Sequence, residues 1–275
     1  MADQGDPLAR IATALERIAG QAPAPTDWHA APAYVWDGAA ARPVATLPAL
    51  PLELLRGIEA QRDAAAANVR RLARGHAAHD MLLWGARGMG KSALVRAAVA
   101  AAQAETPGAL ALVQAGTDAL HTLPRLFTEL GPIDRSFLVF IDDLGFSEDD
   151  SVGPRHLRSW LEGGVEARPG NVRLAVTANR RAIVSRHAGE QDDPINPRDA
   201  VDDKLALADR FGLTLGFHNC GQDDYLAIVA GYAAEHGLAW DESDALEWAR
   251  RRGARSGRTA WQYIVELAGR AGRAL

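Results

Sequence analysis

Residues 81–92 read MLLWGARGMGKS, and their types and spacing carry more chemistry than any other stretch of this chain. Gly85, four further residues, then Gly90, Lys91 and Ser92 fit a phosphate-binding loop, G-x-x-x-x-G-K-S. Gly85, Gly88 and Gly90 let the backbone curl so that successive N–H groups face one concavity. Ala86, Arg87 and Met89 fill the loop between them, and Ala93 continues into an apolar helical run whose positive end adds to an anion site. Lys91 is placed to reach terminal phosphates and Ser92 to hold Mg²⁺. Of 30 basic residues only two are lysine, Lys91 and Lys204. The chain uses arginine elsewhere, so a compact ammonium is kept where a planar guanidinium would not fit.

A second acidic site follows. The apolar strand Phe137 to Ile141 ends in Asp142 and Asp143. Carboxylates at the C-terminal edge of a buried strand lie on the ligand side of an open sheet. Asp142 suits Mg²⁺, and Asp143 suits the general base that polarises an attacking water. Asn179 closes the next strand, where its amide can orient that water. Arg210 stands just before the last strand, able to point into a neighbouring copy, and Arg258 opens the last helix, able to touch a terminal phosphate.

These residues need elements to hold them. Strands at 81–84, 109–114, 137–141, 172–177 and 211–217 alternate with helices at 91–104, 117–130 and 154–163. That pattern predicts an α/β fold: a doubly wound, parallel, five-stranded sheet covered on both faces. A helix at 56–74 precedes it. Beyond Gly221 the chain reads as all-helical, at 222–236, 241–252 and 257–271. The expected domains are an N-terminal amphipathic helix with a Pro/Ala linker over 1–33, an α/β nucleotide-binding domain over 34–219, and a helical lid over 220–275. AYVWDG reads as a short strand and turn outside the five. The face made by Leu8, Ile11, Leu15 and Ile18 serves either packing on the same domain or docking elsewhere.

Composition sets broad bounds. The chain has 275 residues, a net charge of −5 and one cysteine. The negative balance argues against a chain that binds nucleic acid over its whole surface. A single Cys220 excludes an internal disulfide and fits a reducing compartment. No secretory signal and no apolar run of membrane-spanning length is visible, so a cytoplasmic location is expected. Residues 186–203 carry six acids and two arginines, and residues 250–275 carry seven arginines and one acid. These segments could meet between subunits, with Lys204 beside Arg210, or be two unrelated solvated faces.

In this order the motifs resemble the AAA+ ATPase superfamily over about residues 45–272. GARGMGKS looks like Walker A and FLVFIDD like Walker B. Asn179 matches sensor 1, Arg210 the arginine finger and Arg258 sensor 2. LLRGIEAQ is similar to the box lining the adenine pocket, with Gly57 and Ile58 at its centre. ADRFGL resembles the finger region of the Holliday-junction branch-migration motor, and segment 109–144 resembles replication initiators and helicase loaders. More narrowly, YVWDG, LLWGARGMGKS, IDDLGF, SWLEGGV, TANRR and DRFGL together resemble a bacterial AAA+ family of unknown function. The resemblance implies an ATPase core with ATP and Mg²⁺ as ligands and nothing about the client. The expected partners are further copies of the chain, as a homo-oligomer in the ATP state, and an unidentified protein client, with no membrane. Nucleic acid is supported only by the basic C-terminal segment and the initiator-like 109–144 stretch. Adenine follows from the resemblance; no guanine-reading N-K-x-D is present. Two departures matter. Asp143 stands where most motors carry Glu, which implies slow turnover. AGTDALHTL lacks the aromatic–apolar–Gly triplet of unfolding motors, which weighs against a threading pore.

Overall fold

A computed structural model describes residues 25–145, 161, 168–179 and 208–275. The expected helices at 7–20 and 154–163, the acidic segment 186–203 and Lys204 lie outside the described residues, Leu161 apart. The sheet has seven strands, in the order β2-β1-β4-β5-β6-β3-β7. They are β1 (Ala33–Trp36), β2 (Ala41–Val44), β3 (Met81–Gly85), β4 (Leu110–Ala115), β5 (Ser136–Ile141), β6 (Val172–Ala178) and β7 (Leu213–Phe217). The five expected strands are all present and mutually parallel. AYVW joins as β1, parallel to β4, and β2 closes that edge antiparallel to β1. β1 is the short strand read at AYVWDG; β2 was missed because four residues with no buried side chain carry too little pattern.

Side chains alternate between faces as the pleat requires. Met81 and Leu83 join one apolar cluster with α1 (Glu59–Ala73) and α2 (Lys91–Glu105). Leu82 joins the opposite cluster with α3 (Leu123–Leu130). Burial on both faces explains why the strands read as unbroken apolar runs. The expected helix at 117–130 is a 3-10 stretch, Thr117–Thr122, before α3 begins. Three helices follow β7: α4 (Gln222–Glu235), α5 (Glu242–Arg251) and α6 (Gly257–Arg270). Tyr225, Ile228, Tyr263 and Ile264 from this group share the cluster on the α1–α2 face. Asp241 caps α5 and Ser256 caps α6 by accepting N–H bonds from Asp244 and Thr259.

The Pro/Ala composition ahead of β1 hides an anchor. Trp28 is buried, tilted against Tyr34 and edge-on to Phe137. The buried guanidinium of Arg135 donates to the carbonyls of Trp28 (2.6 Å), Ala31 (2.9 Å) and Leu110 (3.0 Å). Burial pushes this guanidinium below the ordinary arginine range.

Candidate nucleotide site

β3 lies between β6 and β7, one strand in from the edge, and Gly85 ends it with φ of +122°. A Cβ there would lie 2.0 Å from the carbonyl oxygen of Phe217 on β7, so only glycine permits this approach. Ala86 N–H donates to the same carbonyl at 2.8 Å, which fixes where the loop leaves the sheet. Gly88 and Gly90 also have positive φ, and Gly90 is the left-handed residue before α2. No side chain caps α2. Among the described residues, the backbone N–H groups of Gly88 to Ala93 donate to no acceptor. A glycine-lined loop with unspent donors at a helix N-terminus fits a phosphate chain.

The loop opens on a cleft of about 1000 Å³. Its lining contains Arg87, Gly88, Met89, Gly90, Lys91, Ser92, Ala93, Asp142, Asp143, Asn179, Arg258 and Ile58. Gly85 and Ala86 lie behind the loop and reach the cleft through Lys91. The Lys91 ammonium donates to their carbonyls at 2.8 and 2.9 Å. Burial pulls this ammonium below the ordinary lysine range; Asp143 and Asp142 oppose the shift, and Arg87 and Arg258 reinforce it. Gly57, expected at this site, is not among the described residues that line the cleft; it has φ of +73°, and a Cβ there would lie 3.3 Å from Asp224 Cβ.

The acids stand where expected, with β5 and β6 adjacent. Asp142 Oδ1 accepts from Ser92 Oγ at 2.6 Å and from Thr177 Oγ1 at 2.6 Å. Its Oδ2 has no donor among the described residues. A hydroxyl and a carboxylate in contact fit Mg²⁺, which takes few protein ligands and completes its shell with waters and phosphates. No group of three or more His, Cys, Asp or Glu able to hold a metal occurs among the described residues. Asn179 Nδ2 donates to Asp143 Oδ1. Asp143 has φ of +53°, the one positive value among the described non-glycine residues.

Arg258 is tied to the loop through its backbone: its N–H donates to Gly88 O at 3.0 Å. A Cβ on Gly88 would meet Ser256 Oγ at 2.9 Å. Gly88 thus serves the docking of α6 as well as the curl of the loop. Arg210 is half-buried and is not among the described residues that line this cleft. Sequence reasoning missed Thr177, Arg96, Tyr232 and Trp261, which do line it. Thr177 was the most findable, as a lone hydroxyl in an apolar strand. Tyr232 and Trp261 come from α4 and α6 and meet edge to face at 5.4 Å, a juxtaposition no sequence spacing encodes.

Several solved structures share this architecture. A point variant of Thermotoga maritima RuvB is 17% identical, with a TM-score of 0.55 over 82% of this chain and 67% of that one. The Aeropyrum pernix ORC1 protein, solved in complex with DNA, is 17% identical, with a TM-score of 0.54 over 82% and 66%. Domain III of the Thermotoga maritima replication initiation protein DnaA is 12% identical, with a TM-score of 0.50 over 82% and 91%. These likenesses give the chain the AAA+ fold. No curated protein matches the sequence. One family model does match, over residues 29–271, and the chain belongs to that family, described as "Protein of unknown function (DUF815)".

Proposed function

We propose that this protein is a Mg²⁺-dependent AAA+ ATPase that binds ATP, hydrolyses it slowly and uses the cycle to switch the conformation or assembly of a partner. One observation carries the reading. Lys91, Ser92, Asp142, Asp143, Asn179 and Arg258, scattered over 168 positions of sequence, converge on one cleft beside a loop of unspent backbone donors. In this reading 34–219 is the nucleotide-binding unit, 220–275 the lid and 1–33 a preceding helix and linker. The loop amides, Lys91 and Arg258 bind phosphates; Leu55 and Ile58 shelter the base. Ser92 and Asp142 hold Mg²⁺, which when bound neutralises phosphate charge. Asp143 takes the proton of the attacking water, Asn179 orients that water, and Arg210 completes the site of a neighbouring copy in a homo-oligomer. The expected setting is the cytoplasm; no helix among the described residues is long and apolar enough to cross a membrane.

The test is phosphate release from ATP with Mg²⁺, with Asp143→Asn as control. Steady turnover in the parent and a fall of ~100-fold or more in the variant, with ATP binding retained, supports the reading. ATP binding without turnover in either protein leaves the second reading, a nucleotide-dependent scaffold. The engagement of Asp143 Oδ1 by Asn179 favours that alternative only in that it takes up one of the two oxygens of the base; the other remains available to a water. A DNA-binding switch draws on the arginine-rich 250–275 segment and the ORC1 likeness. Several of those arginines are already paired within the chain: Arg250 and Arg251 with Glu247, and Arg270 with Glu266. A steeply salt-dependent affinity for duplex DNA would favour it.

A further inference from the structure

We propose that Thr177 is a positioning residue that sets both acids of this site at once, re-aiming the short carboxylate of Asp143 through the backbone. The proposal rests on the ATPase reading above. Thr177 lies on β6, and its side chain is buried at 1% exposure. A hydroxyl carries one proton and two lone pairs. Thr177 uses both functions: Oγ1 donates to Asp142 Oδ1 at 2.6 Å and accepts the Asp143 N–H at 2.8 Å. Its own carbonyl accepts the Leu144 N–H at 2.7 Å. Asp142, Asp143 and Leu144 are therefore wrapped around a single residue of the adjacent strand.

The wrapping has a geometric result. With successive N–H groups bound to the hydroxyl and carbonyl of one residue, the chain cannot run on as a strand. Asp143 turns into the left-handed region, φ +53°, which L-residues other than Asn and Asp rarely enter. That turn brings its carboxylate to Asn179 Nδ2. Glutamate would reach forward by an extra methylene; here a backbone turn does the aiming. The Thr177 proton goes to Oδ1, and Oδ2 of Asp142 has no donor among the described residues, so it is open to a cation or its waters.

The full chain, Thr177→Val and Thr177→Ser separate this role from mere packing. Valine keeps the shape and removes the hydroxyl; serine keeps the hydroxyl. We expect Thr177→Val to lower kcat about tenfold or more with KM for ATP within about twofold, and Thr177→Ser to recover most of the loss. A second readout needs no turnover: the tightening of a fluorescent ADP analogue on adding Mg²⁺ should shrink severalfold in Thr177→Val and return in Thr177→Ser. A kcat within about twofold of the parent in Thr177→Val, or a serine variant as impaired as valine, would overturn the proposal. Should the parent show no turnover, the ATPase reading fails, and the Mg²⁺ readout alone decides whether Thr177 holds Asp142. Should Thr177→Val not fold, Thr177→Ala takes its place with the same expected and overturning results.

Discussion

Lys91 and the acids divide the work of the cleft by their surroundings. Lys91 is 8% exposed and rests on two carbonyls of its own loop. Its ammonium sits below the ordinary lysine range because burial outweighs the attraction of Asp143 and Asp142. The cation is what a phosphate needs, and it is lost on deprotonation. ATP affinity should therefore begin to fall at a lower pH than an ordinary lysine, near ~10.4, would impose. Calorimetric titrations between pH 7 and 10 check this. Lys91→Arg should bind ATP at least ~10-fold more weakly at neutral pH, since a planar fork does not fit between the Gly85 and Ala86 carbonyls. Equal affinity in the arginine variant would show that any cation suffices. These side chains were legible from sequence because the loop, the double acid and Asn179 obey fixed local spacings. Thr177 was not, because its importance comes from the register of β6 against β5, which brings together residues 35 positions apart.

The contact between α6 and the loop is the least expected part of the architecture. Gly88, at φ +76°, touches Ser256 and Arg258 closely enough to exclude any side chain. The Arg258 N–H to Gly88 O bond then joins the last helix to the phosphate loop main chain to main chain. Gly88→Ala should both strain the loop and push α6 away. We expect a loss of ~1–3 kcal/mol, read as a drop in melting temperature, together with weaker retention of ADP. A variant as stable as the parent would mean that α6 shifts freely. Strands β3 to β7 and the described helices around them followed from apolar runs of ordinary length. β2 did not, because a four-residue strand carries too little periodicity to be told from a turn; β1 was read as a strand, but its pairing with β4 was not.

Two measurements address the assembled molecule. If Arg210 serves a neighbouring copy, light scattering with a slowly hydrolysed ATP analogue should give a discrete oligomer that Arg210→Ala loses, while ATP binding persists. A monomer in both proteins would remove the trans role. Cys220 reports on global opening. It is buried, and burial, aided by Asp224 against Arg255, raises its thiol to about 11. The folded chain holds that proton more tightly than the unfolded chain, with its ordinary value near ~8.5. Its contribution to stability is thus complete below the unfolded value and is lost as pH rises toward 11. At pH 8 alkylation should track unfolding in denaturant; rapid labelling without denaturant would show a local opening at β7 and α4.

Arg135 has a consequence for how the chain is made. Its guanidinium holds the carbonyls of Trp28 and Ala31, and β1 pairs with β4 at Leu112. Trp28, Tyr34 and Trp36 leave the ribosome long before either partner exists, so a nascent chain that ends before about residue 110 carries three large aromatic side chains without the partners that bury them. Synthesis of this protein should pass through an interval in which its beginning is sticky, and a ribosome-associated holding chaperone should crosslink to arrested chains ending near residue 105 and release those that extend well past residue 141.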